Sequence, residues 1–433
     1  MTAAQILEAR RKHLFGAYLT YFPDDPLVLE RGDMQYVWDD ADRRYLDAFA
    51  SVVTISVGHC HPEVVVAAKE QLDRAQHFTT LYGEERLVEA AARLTSLTPE
   101  GLSRVFFTNS GSESNDFAAH AVMHATKRTG LIALLHSFHG RTGTASALTF
   151  QKPWRNVPPY KSDVYPVPNP YAFRRPKGMS EDSFFDMCLE MTRQVIDHAC
   201  GGANLAGMWV EPVQGNGGVI HGPDWYYDEL IRMVHAVGGL FVADEVQTGL
   251  GRTGKMWGCS HWSERPDVMV LAKPLGNGHP IGAVVTTEAI SAAFSGLSHF
   301  NTGGGNPVSM AIAHKVMQII ARPETQVNIA ERGAQIWDGL ESLKERHPMI
   351  GDHRGMALMQ GIEIVDPRDG SPNPAATKRI MRLCRDRGVL LGTGGVNHNV
   401  FRIKPPYCIT REDADAIIAA LDESFTIVER EAA

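Results

Sequence analysis

Between residues 84 and 290 the chain alternates two hydrophobic rhythms. Over 84–97, 112–127 and 224–236, apolar residues recur every three or four positions, which predicts helices. Between them lie short apolar runs: Arg104-Val105-Phe106-Phe107, residues 131–135, Ala206-Gly207-Met208-Trp209-Val210, Gly239-Leu240-Phe241-Val242-Ala243, Val268-Met269-Val270-Leu271-Ala272 and residues 282–286. Runs of this length with few polar breaks predict strands buried on both faces. Their alternation with helices predicts an α/β fold, a mostly parallel sheet covered on both sides. Residues 152–177, rich in Pro, Tyr and Arg, predict a long functional or interfacial loop. After residue 325 the rhythm changes to a long helix, short strands near 357–364 and 400–403, and a closing helix from Glu412. That predicts a smaller α+β domain over 325–433, joined by an N-terminal segment over 1–60, with the large domain over 61–324.

Ligands of open α/β sheets bind beyond the carboxyl ends of the strands, and here the polar groups collect at those ends. Strand 104–107 runs into Thr108-Asn109-Ser110-Gly111-Ser112-Glu113, whose amides open a helix and suit a phosphate. Strand 131–135 delivers Phe138, an aromatic able to stack on a planar cofactor, and strand 206–210 delivers Glu211. Strand 239–243 ends in Asp244-Glu245-Val246-Gln247, and strand 268–272 ends in Lys273. A poorly solvated amine at a strand mouth favours its neutral, nucleophilic form, the form needed for Schiff-base chemistry. Each group alone has a plain reading: a Ser helix cap, an apolar wall, a solvated end-cap lysine. Together, one lysine for an aldehyde and one aspartate for a pyridinium nitrogen match the needs of pyridoxal 5'-phosphate (PLP).

Composition narrows the alternatives. A net charge of −8 argues against a nucleic-acid partner, and no apolar run reaches the roughly 20 residues that cross a bilayer. Six scattered cysteines with no Cys-x-x-Cys pair predict a reducing, cytoplasmic setting. Residues 5–15 hold Arg10, Arg11 and Lys12 but also Glu8 and no apolar core, as in a surface helix. Gly249-Leu250-Gly251-Arg252-Thr253-Gly254 spells the dinucleotide pattern, yet no helical period follows, so its glycines read as turn formers. His59-Cys60-His61 lacks the second ligand pair that a zinc site requires.

The chain resembles the class III (subgroup II) PLP-dependent aminotransferases over nearly its whole length. The likeness runs from Gly58-His59-Cys60-His61-Pro62 through Asn109-Ser110-Gly111-Ser112-Glu113, Phe138-His139-Gly140, Glu211-Pro212-Val213-Gln214 and Asp244-Glu245-Val246-Gln247 to Lys273, Asn301-Thr302-Gly303-Gly304-Gly305 and Phe401-Arg402-Ile403-Lys404. The resemblance implies PLP fold type I, with a mixed, mostly parallel seven-stranded sheet, and a homodimer with shared active sites. It implies Lys273 as the Schiff-base lysine and proton shuttle, and Asp244 as partner of the pyridine nitrogen. It places Gly111 and Ser112 on the phosphate, with Thr302 reaching the phosphate of the neighbouring subunit. Phe138 and Val246 would sandwich the ring, and Gln247 would bond its phenolic oxygen. Arg402 would bind a substrate carboxylate, and Glu211 would pair with Arg402 when none is present.

Ser114 stands where the family has Ala, Gly303 where an aromatic is common, and Pro274 follows the lysine unusually. Pro274, with residues 21–26 and 404–406, resembles the ethanolamine-phosphate phospho-lyase branch. Residues 51–59 and 299–302 resemble the alanine–glyoxylate aminotransferase branch. Arg402 with Glu211 favours a transaminase, since a dual-substrate pocket needs a switchable carboxylate receptor. The expected partners are therefore a small-molecule amino donor and a 2-oxo acid such as pyruvate or glyoxylate. The alternative is a PLP-dependent phospho-lyase or ammonia-lyase acting on an amino-alkyl phosphate or phosphonate. Small Val52 and Val53 would leave room for donors beyond alanine.

Overall fold

Seven strands form the central sheet of the computed structural model, which describes residues 1–155 and 163–432. They are β1 (Arg104–Thr108), β2 (Gly130–Leu134), β3 (Val164–Val167), β4 (Leu205–Val210), β5 (Leu240–Asp244), β6 (Val268–Leu271) and β7 (Gly282–Thr286). Their order is β1-β7-β6-β5-β4-β2-β3. Only β7 runs antiparallel to its neighbours; the contiguous run β6-β5-β4-β2-β3 is parallel. Strands β2, β4, β6 and β7 are buried at every position, which is why their sequences are apolar without alternation.

The seventh strand corrects the expectation of one long loop over 152–177. Residues 164–167 pair with β2, placing Pro166 opposite Ala133. A proline reads as a strand breaker, but β3 lies at the sheet edge, where its missing N–H leaves no ladder bond unmade. Part of the expected loop, residues 156–162, lies outside the described residues. The helix Glu181–Gln194 then follows, capped by Ser180, whose hydroxyl accepts from the Ser183 amide.

Beyond residue 322 come the expected long helix (Pro323–Arg346) and closing helix (Arg411–Ala432). A four-stranded antiparallel sheet joins Ile350–Met356, Met359–Ile364, Val400–Ile403 and Gly392–Gly394 in that order. The N-terminal strands Leu29–Asp33, Tyr36–Asp39 and Arg44–Asp47 make another sheet, completed in parallel by Val389–Leu390. Backbone pairing thus links residues 44–47 to the far end of the chain. The dinucleotide-like glycine run is a turn, with Leu250, Gly251 and Gly254 at φ 58°, 92° and 86°. Its Arg252 is wholly buried, donates to the Leu358 and Pro405 carbonyls, and lies 4.4 Å over the Tyr407 ring.

Residues 50–53 run in a left-handed turn, at φ 49°, 46°, 65° and 65°. A non-glycine residue of this hand costs roughly 1–2 kcal/mol. Asp47, 5% exposed, holds the turn: its carboxylate accepts the Phe49 and Ser51 amides, each at 3.1 Å, and His59 Nε2 lies 2.9 Å away. Asp47→Ala should therefore lower the unfolding free energy by about 2–3 kcal/mol, read by denaturant titration. Ser51→Gly, which relieves the Cβ conflict and gives up only the long 3.5 Å contact of the Ser51 hydroxyl with Asp47, should raise it by about 1 kcal/mol. Wild-type stability in Asp47→Ala would mean that other contacts hold the turn.

Candidate functional site

A single cavity opens at the carboxyl ends of β1, β2, β4, β5 and β6. Gly111, Ser112, Phe138, Glu211, Asp244, Val246, Gln247 and Lys273 all line it. Eight of the ten residues singled out from sequence therefore meet in one place; Arg402 and Thr302 are not among the residues that line it.

Lys273 leaves β6 at φ 28° and starts the tight turn Lys273–Gly276, with Pro274 as its second residue. Backbone strain of this kind collects where a side chain must be aimed. Asn277 ends the turn and ties it to the N-terminal segment, accepting the Val57 amide at 3.0 Å and donating to the Gly58 carbonyl at 2.9 Å. Desolvation holds the Lys273 amine below its usual pKa, opposed by the charges of Asp244 and Glu211. Ser114, the departure from the family's Ala, steadies the same region. Its buried hydroxyl bonds Thr108 Oγ1 at 2.7 Å, the Ser110 carbonyl at 3.0 Å and the Leu271 carbonyl at 3.2 Å. Gly282 leaves room for it, since a Cβ there would lie 2.4 Å from that hydroxyl.

Asp244 is the last residue of β5 and 3% exposed. Oδ1 accepts the Val246 amide at 3.1 Å; Oδ2 accepts Asn115 Nδ2 at 3.0 Å and faces His139 Nδ1 at 2.7 Å. Trp209 Nε1 in turn donates to Asn115 Oδ1 at 3.0 Å. A carboxylate only accepts, so His139 donates through Nδ1. Its Nε2 is buried without a partner. His139, Asn115 and Trp209 were not picked from sequence as site residues. The signal for Asn115 was its place three residues after Ser112, one turn along the same helix.

The anion end is the start of the helix Gly111–Thr126, capped by the Ser110 hydroxyl on the Glu113 amide. Two glycines let backbone approach closely there. A Cβ on Gly111 would lie 3.1 Å from Val246 Cγ2, and one on Gly140 (φ 145°) 2.6 Å from Ser112 Oγ. Glu113 binds the Asn109 amide and side chain and Asn301 Nδ2, fastening the 301–305 loop to this helix. Thr302 on that loop is exposed and does not reach its own chain's cavity. Gly303 has a local reason: a Cβ would sit 2.8 Å from Asn109 Oδ1, so an aromatic would dislodge this asparagine.

Glu211 does not pair with Arg402; among the described residues no ion pair joins them. Its oxygens instead take the Phe138 amide at 2.9 Å and the Gly215 amide at 3.1 Å. Arg402 is buried, donates to Asn216 Oδ1 at 3.2 Å and lies 4.8 Å over the Phe49 ring, with Nε unpartnered. Val53 is fully buried and Val52 is 44% exposed; neither lines the cavity, so the expected room for larger donors does not come from them. A buried lysine not picked from sequence, Lys404, donates to Gln247 Oε1 at 3.2 Å. Its signal was two-residue spacing from Arg402, which puts both on one face of an extended segment.

The donor set fits PLP: a depressed amine for the aldehyde, a fully bonded carboxylate for the ring nitrogen, and a helix start for the phosphate. Phe138 and Val246 line the same cavity as apolar side chains able to flank a planar ring.

Burial raises the Glu211 carboxyl from 4.5 to about 7, with His139 opposing and Asp244 assisting. The folded chain thus keeps a proton that the unfolded chain has released, so stability falls as pH rises through that window. The loss amounts to about 3 kcal/mol between those limits. Denaturant titrations at pH 5 and pH 7.5 should show wild-type apoprotein losing stability relative to Glu211→Gln as pH rises. Parallel pH dependence of the two proteins would remove Glu211 as the titrating group.

The aminotransferase class-III family model matches residues 22–425. A protein of Arabidopsis thaliana named alanine–glyoxylate aminotransferase 2 homolog 2, mitochondrial, is 37% identical over 426 residues, covering 98% of this chain and 88% of its own. Among solved structures, a phospholyase from Arthrobacter in complex with phosphoethanolamine superposes with a TM-score of 0.90 at 31% identity, covering 97% of this chain and 99% of that one. An amine transaminase from an uncultivated Pseudomonas species, in its PLP-bound form, also gives 0.90 at 28% identity, covering 96% and 98%. The chain belongs to the class III aminotransferases and is a PLP-dependent enzyme of that family.

Proposed function

We propose that the enzyme moves an amino group from an amino acid or amine to a small 2-oxo acid, pyruvate or glyoxylate. The observation that carries this is Arg402, a buried guanidinium with an unpartnered Nε, whose charge acts on both Lys273 and Glu211. A buried cation of this kind suits the carboxylate of an oxo acid, which a planar guanidinium grips through two parallel bonds. The alanine–glyoxylate name of the Arabidopsis relative points to the same class of acceptor.

PLP, when bound, supplies the electron sink that makes the donor's α-hydrogen acidic. The chain's own residues do the rest. Lys273, its amine held below the usual lysine range by desolvation, takes the proton from the donor α-carbon and later returns one. Asp244, bonded by the Val246 amide, Asn115 and His139, would pair with the ring nitrogen and keep it protonated. Gly111 and Ser112 would hold the phosphate and Gln247 the phenolic oxygen. Phe138 and Val246 would flank the ring, and Glu211, its carboxyl raised to about 7, would supply a counter-charge to Arg402 when ionised.

Two further readings accompany this one. A homodimer sharing its sites is supported by exposed Thr302 beside the anion end and by exposed Phe78, Leu81 and Tyr82. A cytoplasmic location is supported by six unpaired cysteines. The likeness to the Arthrobacter phospholyase favours one alternative chemistry, β-elimination from an amino-alkyl phosphate or phosphonate.

One assay separates the chemistries. Purified enzyme should aminate pyruvate or glyoxylate, and Lys273→Ala should abolish turnover. Arg402→Ala should raise the oxo-acid KM roughly 10- to 150-fold, from about 1.5–3 kcal/mol of charged hydrogen bonding. Phosphate and ammonia released stoichiometrically from phosphoethanolamine, independent of any oxo acid, would replace the transaminase reading by the lyase.

A further inference from the structure

Lys404 is wholly enclosed, one residue beyond the strand Val400–Ile403. Its backbone amide donates to the Ala48 carbonyl at 2.8 Å, which fixes the residue just ahead of the left-handed turn. Arg402, Arg252 and Lys273 crowd it with positive charge, and Glu211 is the acidic group that acts on it. Among the described residues no carboxylate lies within ion-pair distance of its amine. Burial and the neighbouring cations push that amine well below the usual lysine range. The hydrogen bond its Nζ makes is to Gln247 Oε1, at 3.2 Å.

Gln247 is held from a second side. A Cβ on Gly215 would fall 2.4 Å from Gln247 Oε1 and 2.8 Å from Nε2, so the amide lies flat against the glycine backbone. The Gln247 side chain also lines the cavity that holds Phe138, Asp244 and Lys273. A primary amide has a donor end and an acceptor end of nearly equal shape, so packing alone cannot choose between its two orientations. A hydrogen-bonding neighbour can. An amine that gives its N–H to Oε1 leaves Nε2 free for the cavity. The opposite orientation would offer a carbonyl oxygen to any acceptor lying there.

We propose that Lys404 is a positioning residue that fixes the Gln247 amide with Nε2 facing the cavity, so that the site presents a donor to the phenolic oxygen of PLP. This rests on PLP occupying the cavity and on Gln247 meeting that oxygen. It separates Lys404 from Arg402 in function despite their two-residue spacing. Arg402 serves the substrate, whereas Lys404 acts through a neutral side chain on the cofactor.

The test is a double-mutant cycle on full-length protein, with PLP affinity of the apoprotein and the visible absorption bands of the loaded protein as readouts. Lys404→Met and Gln247→Leu should each weaken PLP roughly 3- to 10-fold, the worth of one hydrogen bond. Both should shift the visible bands in the same direction, and the double variant should be no weaker than Gln247→Leu alone. Gly215→Ala, which displaces the same amide, should reproduce the band shift. Lys404→Gln, which keeps an N–H donor, should retain the wild-type bands, and serves if Lys404→Met fails to fold. Wild-type affinity and bands in Lys404→Met, or losses that add in the double variant, would overturn the proposal. So would Lys404→Gln with altered bands. Wild-type protein that takes up no PLP would instead overturn the cofactor assignment itself.

Discussion

Keeping a carboxylate charged at the buried end of a strand is the constraint on which this site depends. Water cannot solvate Asp244, so protein donors must, and the three of them come from three separate parts of the chain. The Val246 amide belongs to the turn after β5. Asn115 belongs to the first turns of the helix after β1 and is itself held by Trp209 from β4. His139 belongs to the loop after β2, where the Thr149 hydroxyl accepts its backbone amide at 3.0 Å. A buried charge that loses one such donor loses several kcal/mol of support, so these strands must dock in register before the acid is tolerated. The parallel sheet is thus as much a device for solvating one aspartate as a scaffold.

On the other side of the cavity the balance of charge reverses. Arg402, Arg252 and Lys273 gather around Lys404, with Glu211 the acidic group that acts on it. Burial and mutual repulsion keep both lysine amines below their usual range, and the two guanidiniums, also pushed down, stay charged because their unperturbed pKa is so high. The same cluster explains why the site needs both ends of the chain. Arg402 and Lys404 arrive from beyond residue 399, while Asn277 ties the lysine turn to Val57 and Gly58.

Much of this was legible in the linear chain, because strands buried on both faces write themselves as unbroken apolar runs. Six of the seven central strands stand out for that reason, and so do the functional groups at their ends. Strand β3 did not, because Pro166 at an edge position mimics a loop. Of the hairpin Ile350–Met356 and Met359–Ile364, only the second strand was expected, near 357–364. Direct cofactor contacts could be inferred from residue type, but support could not. His139 and Asn115 matter through one hydrogen bond each, a relation set by tertiary distance rather than by spacing. Glu211 shows the limit from the other side. Its place was evident, yet its two backbone partners, which leave it unpaired with Arg402, depend on the path of the Phe138 and Gly215 loops.

The turn at residues 50–53 carries a lesson about handedness. Successive side chains there leave the backbone in mirror-image order, and the neighbours Val52 and Val53 end up one 44% exposed and one sealed. A right-handed helical wheel drawn over this stretch assigns faces wrongly. Anyone reshaping the chamber by swapping residues here would, on that wheel, redesign the outside of the protein while believing it to be the inside.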